Sequence, residues 1–212
     1  MKTMTYICGP KWDQRVVEIN PKGRCAIIMS GGIDSFVLFN LLNLVSDVDV
    51  FNVNRQDGFD NYKRVERLTG QKVNVVNELT TDSATRVEYS IYQIIEEYNY
   101  DEVYAGTNHT PPLAYFPEFD TPDRPKRPWY IDHEKYKLRL PFLHLYKYHI
   151  IDLARQEKID LSDTMSCIAS TEKECGKCWQ CMEKKWGYEL LYNRNQALSL
   201  IHISEPTRLG FI

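Results

Sequence analysis

The sequence predicts an α/β fold, an open parallel sheet with helices on both faces, followed by a small C-terminal metal-binding segment. Three observations predict it. Short apolar runs alternate with helix-period segments, a Ser-Gly-Gly-Ile-Asp-Ser turn follows the first buried run, and four of the six cysteines lie between Cys167 and Cys181. Alternating strand and helix patterns are typical of βαβ units, in which helices cover a parallel sheet.

Five apolar runs are predicted to be the strands of this sheet: 24–29, 48–53, 72–76, 101–106 and 137–140. Helices are expected at 34–44, 61–68, 83–98, 148–156 and about 179–192. Gly70 is a stop signal for the second helix. Residues 16–19 are a candidate edge strand. The segment 110–133 contains six prolines, and a loop this long in a compact domain is usually functional or mobile.

The composition of the 212 residues is that of a globular protein, with 43% hydrophobic and 26% charged residues. It excludes a disordered chain, and the net charge of −3 gives no bulk indication of nucleic-acid binding. No apolar run reaches the roughly 18 residues of a membrane span, and the N-terminus lacks a secretory signal pattern. We therefore expect a cytoplasmic protein with no membrane or nucleic-acid partner; a homodimer is left open.

The turn after the first strand has the properties of a phosphate-binding loop. It consists of Ser30, Gly31, Gly32, Ile33, Asp34 and Ser35. The two glycines let the backbone approach an anion closely, and the following helix directs its free N–H groups at that anion. The two serines offer hydroxyl donors, and Asp34 can position Mg²⁺ or a phosphate-bound water. Without the Gly-Lys-Ser/Thr of a Walker loop, transfer of a γ-phosphate is not the expected chemistry.

An alternative interpretation of this turn is a plain βα connection in which Asp34 or Ser35 caps the helix. Val53 and Gly106, at the carboxyl ends of two predicted strands, are further expected nucleotide contacts, because open α/β sheets bind ligands at that edge. Asn108 and His109 follow at the same edge and are candidate substrate contacts. For His109 the alternative is a solvated loop histidine.

The cysteines Cys167, Cys175, Cys178 and Cys181 are predicted to bind one structural zinc ion. Four thiolates suit tetrahedral Zn²⁺, and Gly176 can turn the chain back onto the metal. An iron–sulfur cluster and a free catalytic cysteine are the alternatives. The expected role of the metal is to attach the C-terminal helix to the domain.

The phosphate loop and the cysteine pattern together resemble a known family. Ser30–Ser35 matches the signature of the pyrophosphatase-loop (PP-loop) ATPases, a Rossmann-like fold similar to the adenine nucleotide alpha hydrolases. Thr164–Cys167 and Cys175–Cys178 resemble the C-terminal pattern of the 7-cyano-7-deazaguanine synthases of queuosine-type deazapurine biosynthesis. Leu140–Lys147 is similar to the Pro-Leu…Lys segment of that family. By this resemblance Lys147 is a candidate for touching phosphate or the adenylate; a solvated surface lysine is the alternative.

The resemblance implies an ATP-dependent carbon–nitrogen ligase that converts 7-carboxy-7-deazaguanine and ammonia to 7-cyano-7-deazaguanine. The substrate carboxylate would be adenylated, ammonia would form the amide, and a second adenylation would allow dehydration to the nitrile. Asp34 and Lys147 would be the catalytic residues, with Mg²⁺ on the phosphates of ATP. The protein would supply alignment and charge neutralisation rather than a nucleophile.

The middle of the chain departs from the family pattern. Residues 82–86 stand where an Arg-Asn pair is expected, and Lys184 replaces an arginine. Tyr115–Phe119 or Thr121–Arg124 would have to stand in for the substrate segment of the family. Two other hypotheses are therefore kept. One is another PP-loop ATP pyrophosphatase, an RNA-thiolating or amidating enzyme; the other is a catalytically silent nucleotide- or nucleic-acid-binding zinc module.

The chain divides into four expected parts. Residues 1–23 are an N-terminal extension without an assigned role, 24–160 the PP-loop ATP-binding domain, and 161–197 the zinc-binding segment. Residues 198–212 are set aside, because Leu198–Arg208 resembles the translation of a transposase-derived sequencing adapter. The natural C-terminus is accordingly expected to be missing beyond about Ala197.

Overall fold

The structure, a computed structural model, describes residues 2–54, 61–77, 93–115, 137–170 and 172–192. Seven strands are described: β1 (Met4–Cys8), β2 (Arg15–Ile19), β3 (Cys25–Ile28), β4 (Val48–Asn54), β5 (Asn74–Asn77), β6 (Glu102–Ala105) and β7 (Leu138–Arg139). The last five form one parallel sheet in the order β5-β4-β3-β6-β7. The predicted parallel α/β sheet is confirmed, with strand limits that differ from the expected ones by one or two residues.

Besides the helical residues 93–98, the described ranges contain four helices: α1 (Ile33–Asn43), α2 (Tyr62–Thr69), α3 (Lys147–Gln156) and α4 (Trp179–Tyr192). A 3-10 turn spans Leu113–Tyr115. The cap of α2 is Gly70, whose left-handed φ of 66° a side chain would resist. The stop signal predicted at this glycine is therefore confirmed.

The central strand β3 is buried on both sides, which explains its uninterrupted apolar sequence. Ile27 belongs to a large core that includes α1, α3 and the β1–β2 pair. Ala26 points to the opposite face, where a second core includes Ile94 from the helical residues 93–98. Helices therefore cover both faces of the sheet, as predicted.

The candidate edge strand at 16–19 is confirmed: it is β2, one of the two strands of a separate sheet. β2 pairs antiparallel with β1 in a separate two-stranded sheet, with Ile7 opposite Val16. This hairpin packs on α3: the backbone N–H of Gly9 donates to the Asp152 carboxylate at 2.9 Å. The pairing with β1 could not be anticipated because β1 lacks a strong alternation signal.

Several expectations fall wholly or partly on residues that the structure does not describe. The helix predicted at 83–98 is described, and helical, only at 93–98. Most of the proline-rich segment 110–133, the segment 82–86 and all of 193–212 lie outside the described residues. None of the helices in the described ranges combines the length and apolar character that crossing a bilayer requires.

Candidate functional site

A cavity of about 420 Å³ opens at the carboxyl ends of β3, β4 and β6. The chain runs from β3 outward to β4 and β5 and then returns to β6 on the other side, so the cavity lies where the strand order reverses. Open α/β sheets bind ligands at this position. Most of the predicted nucleotide-loop residues reach it: Ser30, Gly32, Asp34, Ser35, Val53 and Gly106 line the cavity.

The N-terminus of α1 faces this cavity without a side-chain cap. The helix begins at Ile33 after Gly32, whose φ of −84° and ψ of 168° are extended, and no side chain caps the first turn. Instead, the Ser35 hydroxyl donates to the Gly32 carbonyl at 3.2 Å. The alternative interpretation, in which Asp34 or Ser35 caps the helix, is therefore wrong. Helix N–H groups left without a cap are suited to bind an anion.

Gly31, Gly32 and Gly106 are each required at the site for a different structural reason. Gly31 has a left-handed φ of 79°, which turns the chain. A Cβ at Gly32 would lie 3.3 Å from the Ser166 hydroxyl, so the glycine keeps the backbone open to the cavity. A Cβ at Gly106 would lie 2.5 Å from the backbone nitrogen of Ser35, so only glycine lets β6 end directly against α1.

The two predicted catalytic residues are in direct contact. The Lys147 ammonium donates to both carboxylate oxygens of Asp34, at 2.7 and 2.5 Å. Lys147 is only 2% exposed, so the alternative of a solvated surface lysine is wrong. A charged amine this deeply buried requires ionic partners, and Asp34 is the nearer of the two found among the described residues.

The second partner is Glu183, a residue that the sequence analysis did not single out. It is 2% exposed, and its Oε2 lies 3.8 Å from the Lys147 amine. Asn108, 1% exposed, donates to the other carboxylate oxygen at 2.8 Å. One signal was available: Glu183 stands at helical spacing within the apolar set Trp179, Trp186, Gly187 and Leu190, all buried in α4. An acidic residue in such a stripe indicates a buried polar contact.

Asn52 is another cavity residue that sequence reasoning missed. Its side-chain amide donates to the Met29 carbonyl at 2.7 Å and to Asn61 Oδ1 at 2.8 Å. Asn61 in turn donates to the Ser30 carbonyl, which ties the start of α2 to the phosphate loop. The Asn52 side-chain oxygen is buried and has no hydrogen-bond partner among the described residues. It lines the cavity beside Val53 and can accept a hydrogen bond from a ligand.

Of the two candidate substrate residues, Asn108 lines the cavity and His109 does not. Asn108 lines the cavity through its contact with Glu183. His109 is not among the described residues that line it: its ring packs on Tyr146 at 5.0 Å, and its backbone N–H donates to the Leu145 carbonyl. The segments Tyr115–Phe119 and Thr121–Arg124, considered as substrate contacts, lie outside the described residues except for Tyr115. The ring centroids of Tyr115 and Trp186 are 5.2 Å apart.

The four cysteines lie together, with Cys167 lining this cavity, and could hold a metal ion. The Sγ atoms of Cys167, Cys175, Cys178 and Cys181 all lie within 4.8 Å of one another, and Cys167 also lines the cavity. This compact set fits a tetrahedral thiolate site. Gly176, with a left-handed φ of 70°, makes the turn that brings its neighbours together.

The thiols of the cluster differ in acidity. Backbone N–H groups of Lys177 and Cys178 donate to the Cys175 sulfur and lower its pKa to about 6. Burial raises the pKa of Cys181 to about 12. Cys8 and Cys25 are buried elsewhere, and burial also raises the pKa of both thiols. Among the described cysteines, therefore, only the clustered set offers an exposed, readily ionised thiol.

Comparison with known proteins finds similarity in the C-terminal part of the chain. A family model described as "Queuosine biosynthesis protein QueC" matches residues 126–192. The 7-cyano-7-deazaguanine synthases of Prochlorococcus marinus strains AS9601 and MIT 9215 are each 41% identical over 59 residues, which is 28% of this chain. The chain spans about a quarter, 26%, of the length of these curated relatives.

The predicted resemblance to the 7-cyano-7-deazaguanine synthases is thus confirmed. The family match includes Lys147, Glu183 and the four cysteines, whereas Ser30–Ser35 lies before it. Among solved structures, a predicted subunit of tRNA methyltransferase from Methanocaldococcus jannaschii is similar with a TM-score of 0.40 and 17% identity. The alignment covers 63% of this chain and 75% of that one.

Proposed function

We propose that this chain is an ATP-dependent adenylating ligase that acts on a carboxylated deazapurine, as the resemblance to the 7-cyano-7-deazaguanine synthases implies. One observation carries the proposal. The uncapped N-terminus of α1 and the side chains of Lys147 and Glu183 line the same cavity. The phosphate loop and the segment that resembles the synthases therefore contribute to one site.

In the proposed reaction, a carboxylate oxygen of the substrate attacks the α-phosphorus of ATP, and pyrophosphate leaves. Ammonia then attacks the carbonyl carbon and AMP leaves, which gives the amide. The amide oxygen attacks a second ATP in the same way, and loss of AMP with the remaining amide protons gives the nitrile. The loop and the helix N-terminus would hold the leaving pyrophosphate and keep the α-phosphorus in line with the attacking oxygen, so their contribution is positioning.

The residues of the cavity have separate parts in this proposal. The loop N–H groups and the α1 terminus hold the phosphates, while Lys147 keeps positive charge beside them. The carboxylate of Asp34 and the hydroxyls of Ser30 and Ser35 are hard oxygen ligands that fit Mg²⁺, which neutralises phosphate charge when bound. The open acceptor of Asn52, next to Val53, fits an amino group of a purine ring.

The cysteine cluster has a structural part in the proposal. Its four thiolates would hold one Zn²⁺, which would tie the start of α4 to the chain segment around Cys167. Because Glu183 follows Cys181 by two residues, the metal would also fix where Glu183 enters the cavity. No step of the proposed reaction passes through this metal.

Two facts count against RNA thiolation as the activity. That chemistry needs a reactive cysteine at the cavity in addition to the metal ligands, and Cys8 and Cys25 are buried without lining it. The only cysteine among the described residues that lines the cavity is Cys167, which belongs to the cluster.

The proposal is tested by incubating the purified chain with ATP, Mg²⁺, ammonium and 7-carboxy-7-deazaguanine, followed by mass spectrometry. Appearance of the amide and then the nitrile, with AMP and pyrophosphate, supports it. If AMP forms but 7-carboxy-7-deazaguanine is unchanged, the chain is still an adenylating enzyme, but the proposed substrate is wrong. No nucleotide turnover would favour a silent binding module, and release of ADP would overturn the assignment of the loop.

A matched pair of variants separates the site from the fold. Asp34→Asn should lower AMP formation by about 100-fold or more, as expected when charge stabilisation of a transition state is lost. Asp47→Asn, an exposed aspartate just before β4, should retain wild-type turnover. Both variants should bind metal at the cysteines as the wild type does, since neither residue contacts the cluster.

A further inference from the structure

The buried contacts around Lys147 carry an uneven charge. One ammonium group lies between the carboxylates of Asp34 and Glu183, so the three charges sum to −1. The side chains of Lys147 and Glu183 are each 3% exposed, and that of Asp34 is 20% exposed. Asp34 is the more exposed of the two carboxylates and lines the cavity, so it is the one that a cation in the cavity can reach.

Lys147 now occupies the oxygens that such a cation would use. Its amine lies within 2.7 Å of both Asp34 oxygens, in the position where a divalent ion would bind a carboxylate. The Glu183 Oε2 lies 3.8 Å away. A movement of the amine by about 1 Å would bring that distance to the length of a charge-assisted hydrogen bond. Lys147 can therefore release Asp34 without leaving ionic contact.

The surroundings restrict this movement to the end of the lysine side chain. A Cβ at Gly187 would lie 2.7 Å from Lys147 Cγ, so the lysine stem already packs tightly against α4. Asn108 donates to Glu183 Oε1 at 2.8 Å, which holds the carboxylate with Oε2 towards Lys147. The lysine stem and the Glu183 carboxylate are thus both held in place, and the ammonium group lies between the two carboxylates.

We propose that Glu183 is a positioning residue that receives the Lys147 ammonium from Asp34 when Mg²⁺ and nucleotide enter the phosphate loop. The inference rests on the proposed function, because it requires that metal and nucleotide bind there. Asp34 is then released to the metal, and the lysine charge stays buried beside the phosphates. This transfer of the ammonium from Asp34 to Glu183, the hand-over, also links α4, which carries Cys181, to the phosphate loop Ser30–Ser35.

Binding measurements provide the first test. Glu183→Gln keeps the size and the Asn108 contact but removes the charge that would receive Lys147. Glu189→Gln makes the same change at a half-buried glutamate of the same helix, which pairs with Lys185 and not with Lys147, and is the matched control. Isothermal titration with α,β-methylene-ATP at increasing Mg²⁺ should show a Mg²⁺ midpoint about tenfold or more higher for Glu183→Gln, as loss of a charged hydrogen bond predicts. Glu189→Gln should match the wild type.

The position of the ammonium group provides a second test that needs no turnover. In protein with ¹⁵N-labelled lysine, the buried Lys147 amine should give a slowly exchanging NMR signal, assigned by its loss in Lys147→Arg. Addition of Mg²⁺ and the analogue should shift this signal in the wild type. In Asp34→Asn the signal should take the shifted position before any ligand is added, because of the two carboxylates that contact Lys147 only Glu183 then keeps its charge.

The outcomes separate the inference from the function on which it rests. If the wild type binds no magnesium–nucleotide, the proposed function fails and the hand-over fails with it. If the wild type binds and Glu183→Gln has the same Mg²⁺ midpoint as Glu189→Gln, the hand-over alone is overturned. Thermal unfolding and metal content of each variant show whether it is folded; should Glu183→Gln not fold, the Asp34→Asn signal decides.

Discussion

Gly106→Ala is expected to damage the candidate site through one added methyl group. The new Cβ would lie 2.5 Å from Ser35 N, 2.6 Å from Asp34 C and 2.7 Å from Ser35 Cα, all backbone atoms at the start of α1. Ordinary contacts need at least 3.4 Å, so β6 and α1 must separate by about 1 Å. Gly106 has no left-handed φ, so the effect is steric.

The expected cost follows from this clash. Overpacking of a rigid backbone contact destabilises a protein by about 1–3 kcal/mol. For a chain of this size that corresponds to a decrease in Tm of about 2–12 °C. Urea unfolding followed by circular dichroism gives the free energy, and titration with α,β-methylene-ATP in Mg²⁺ gives the affinity. We expect both to fall, because the displaced helix start carries the loop.

Gly70→Ala is the matched control for this change. Its Cβ would meet nothing within 4 Å, but its φ of 66° is left-handed, so it should cost about 1 kcal/mol of stability and leave nucleotide affinity unchanged. The reasoning is refuted if Gly106→Ala unfolds within about 0.5 kcal/mol of the wild type. It is also refuted if the variant binds the analogue with wild-type affinity, since the clash would then not reach the loop.

Three further predictions follow from other contacts. Gly32→Ala, at a backbone φ of −84°, should leave the fold stable and weaken analogue binding about tenfold or more, because the methyl enters the cavity; wild-type affinity in calorimetry would contradict this. In metal-free protein at pH 7, Cys175, with a pKa of about 6, should be alkylated before Cys8 and Cys25 and be protected by Zn²⁺, as peptide mass spectrometry can show; equal reactivity would refute it. Asp13→Asn should destabilise the protein most above about pH 4 and progressively less at lower pH, measured by urea unfolding; a difference that grows towards acid pH would contradict it.

The sign of the Asp13 prediction comes from its contacts. Burial opposes ionisation of Asp13, but hydrogen bonds from His149, Arg15 and Tyr148 outweigh it and hold the pKa of the carboxyl well below its usual value. A carboxyl group whose pKa is lower in the folded state than in the unfolded state stabilises the fold at pH values above the unfolded pKa, which for aspartate is about 3.9. That contribution is lost as the pH falls towards the folded pKa, so wild type and Asp13→Asn converge in acid.

Much of the fold was predictable because its signals are local. The apolar run that contains Cys25–Ile28 is short, β-branched in part and followed at once by a glycine turn, which indicates a buried parallel strand. The cluster of the four cysteines could be predicted from their spacing in the sequence alone. The position of Gly106 was also predictable, because strand ends meet at one edge of a parallel sheet.

The contacts inside the site were not predictable from local patterns. Lys147 and Asp34 are 113 positions apart, and nothing in either segment shows that the lysine points at the carboxylate. Glu183 and Asn108 meet across 75 positions for the same reason. The first pair depends on how α3 packs on α1, and the second on where α4 lies beside the segment after β6. Such packing is fixed by side-chain volumes over the whole interface, not by periodicity.

The N-terminal hairpin, to which the sequence assigned no role, also determines where Lys147 lies. Asp13 accepts a hydrogen bond from the Tyr148 hydroxyl, and its backbone carbonyl lies 3.0 Å from the His149 ring. Because the Tyr146 N–H donates to Nδ1 of His149, the other ring nitrogen is the one that donates to Asp13. Tyr148 and His149 follow Lys147 directly in α3. The hairpin therefore sets the rotation of the first turn of α3, and with it the direction in which the Lys147 amine meets Asp34.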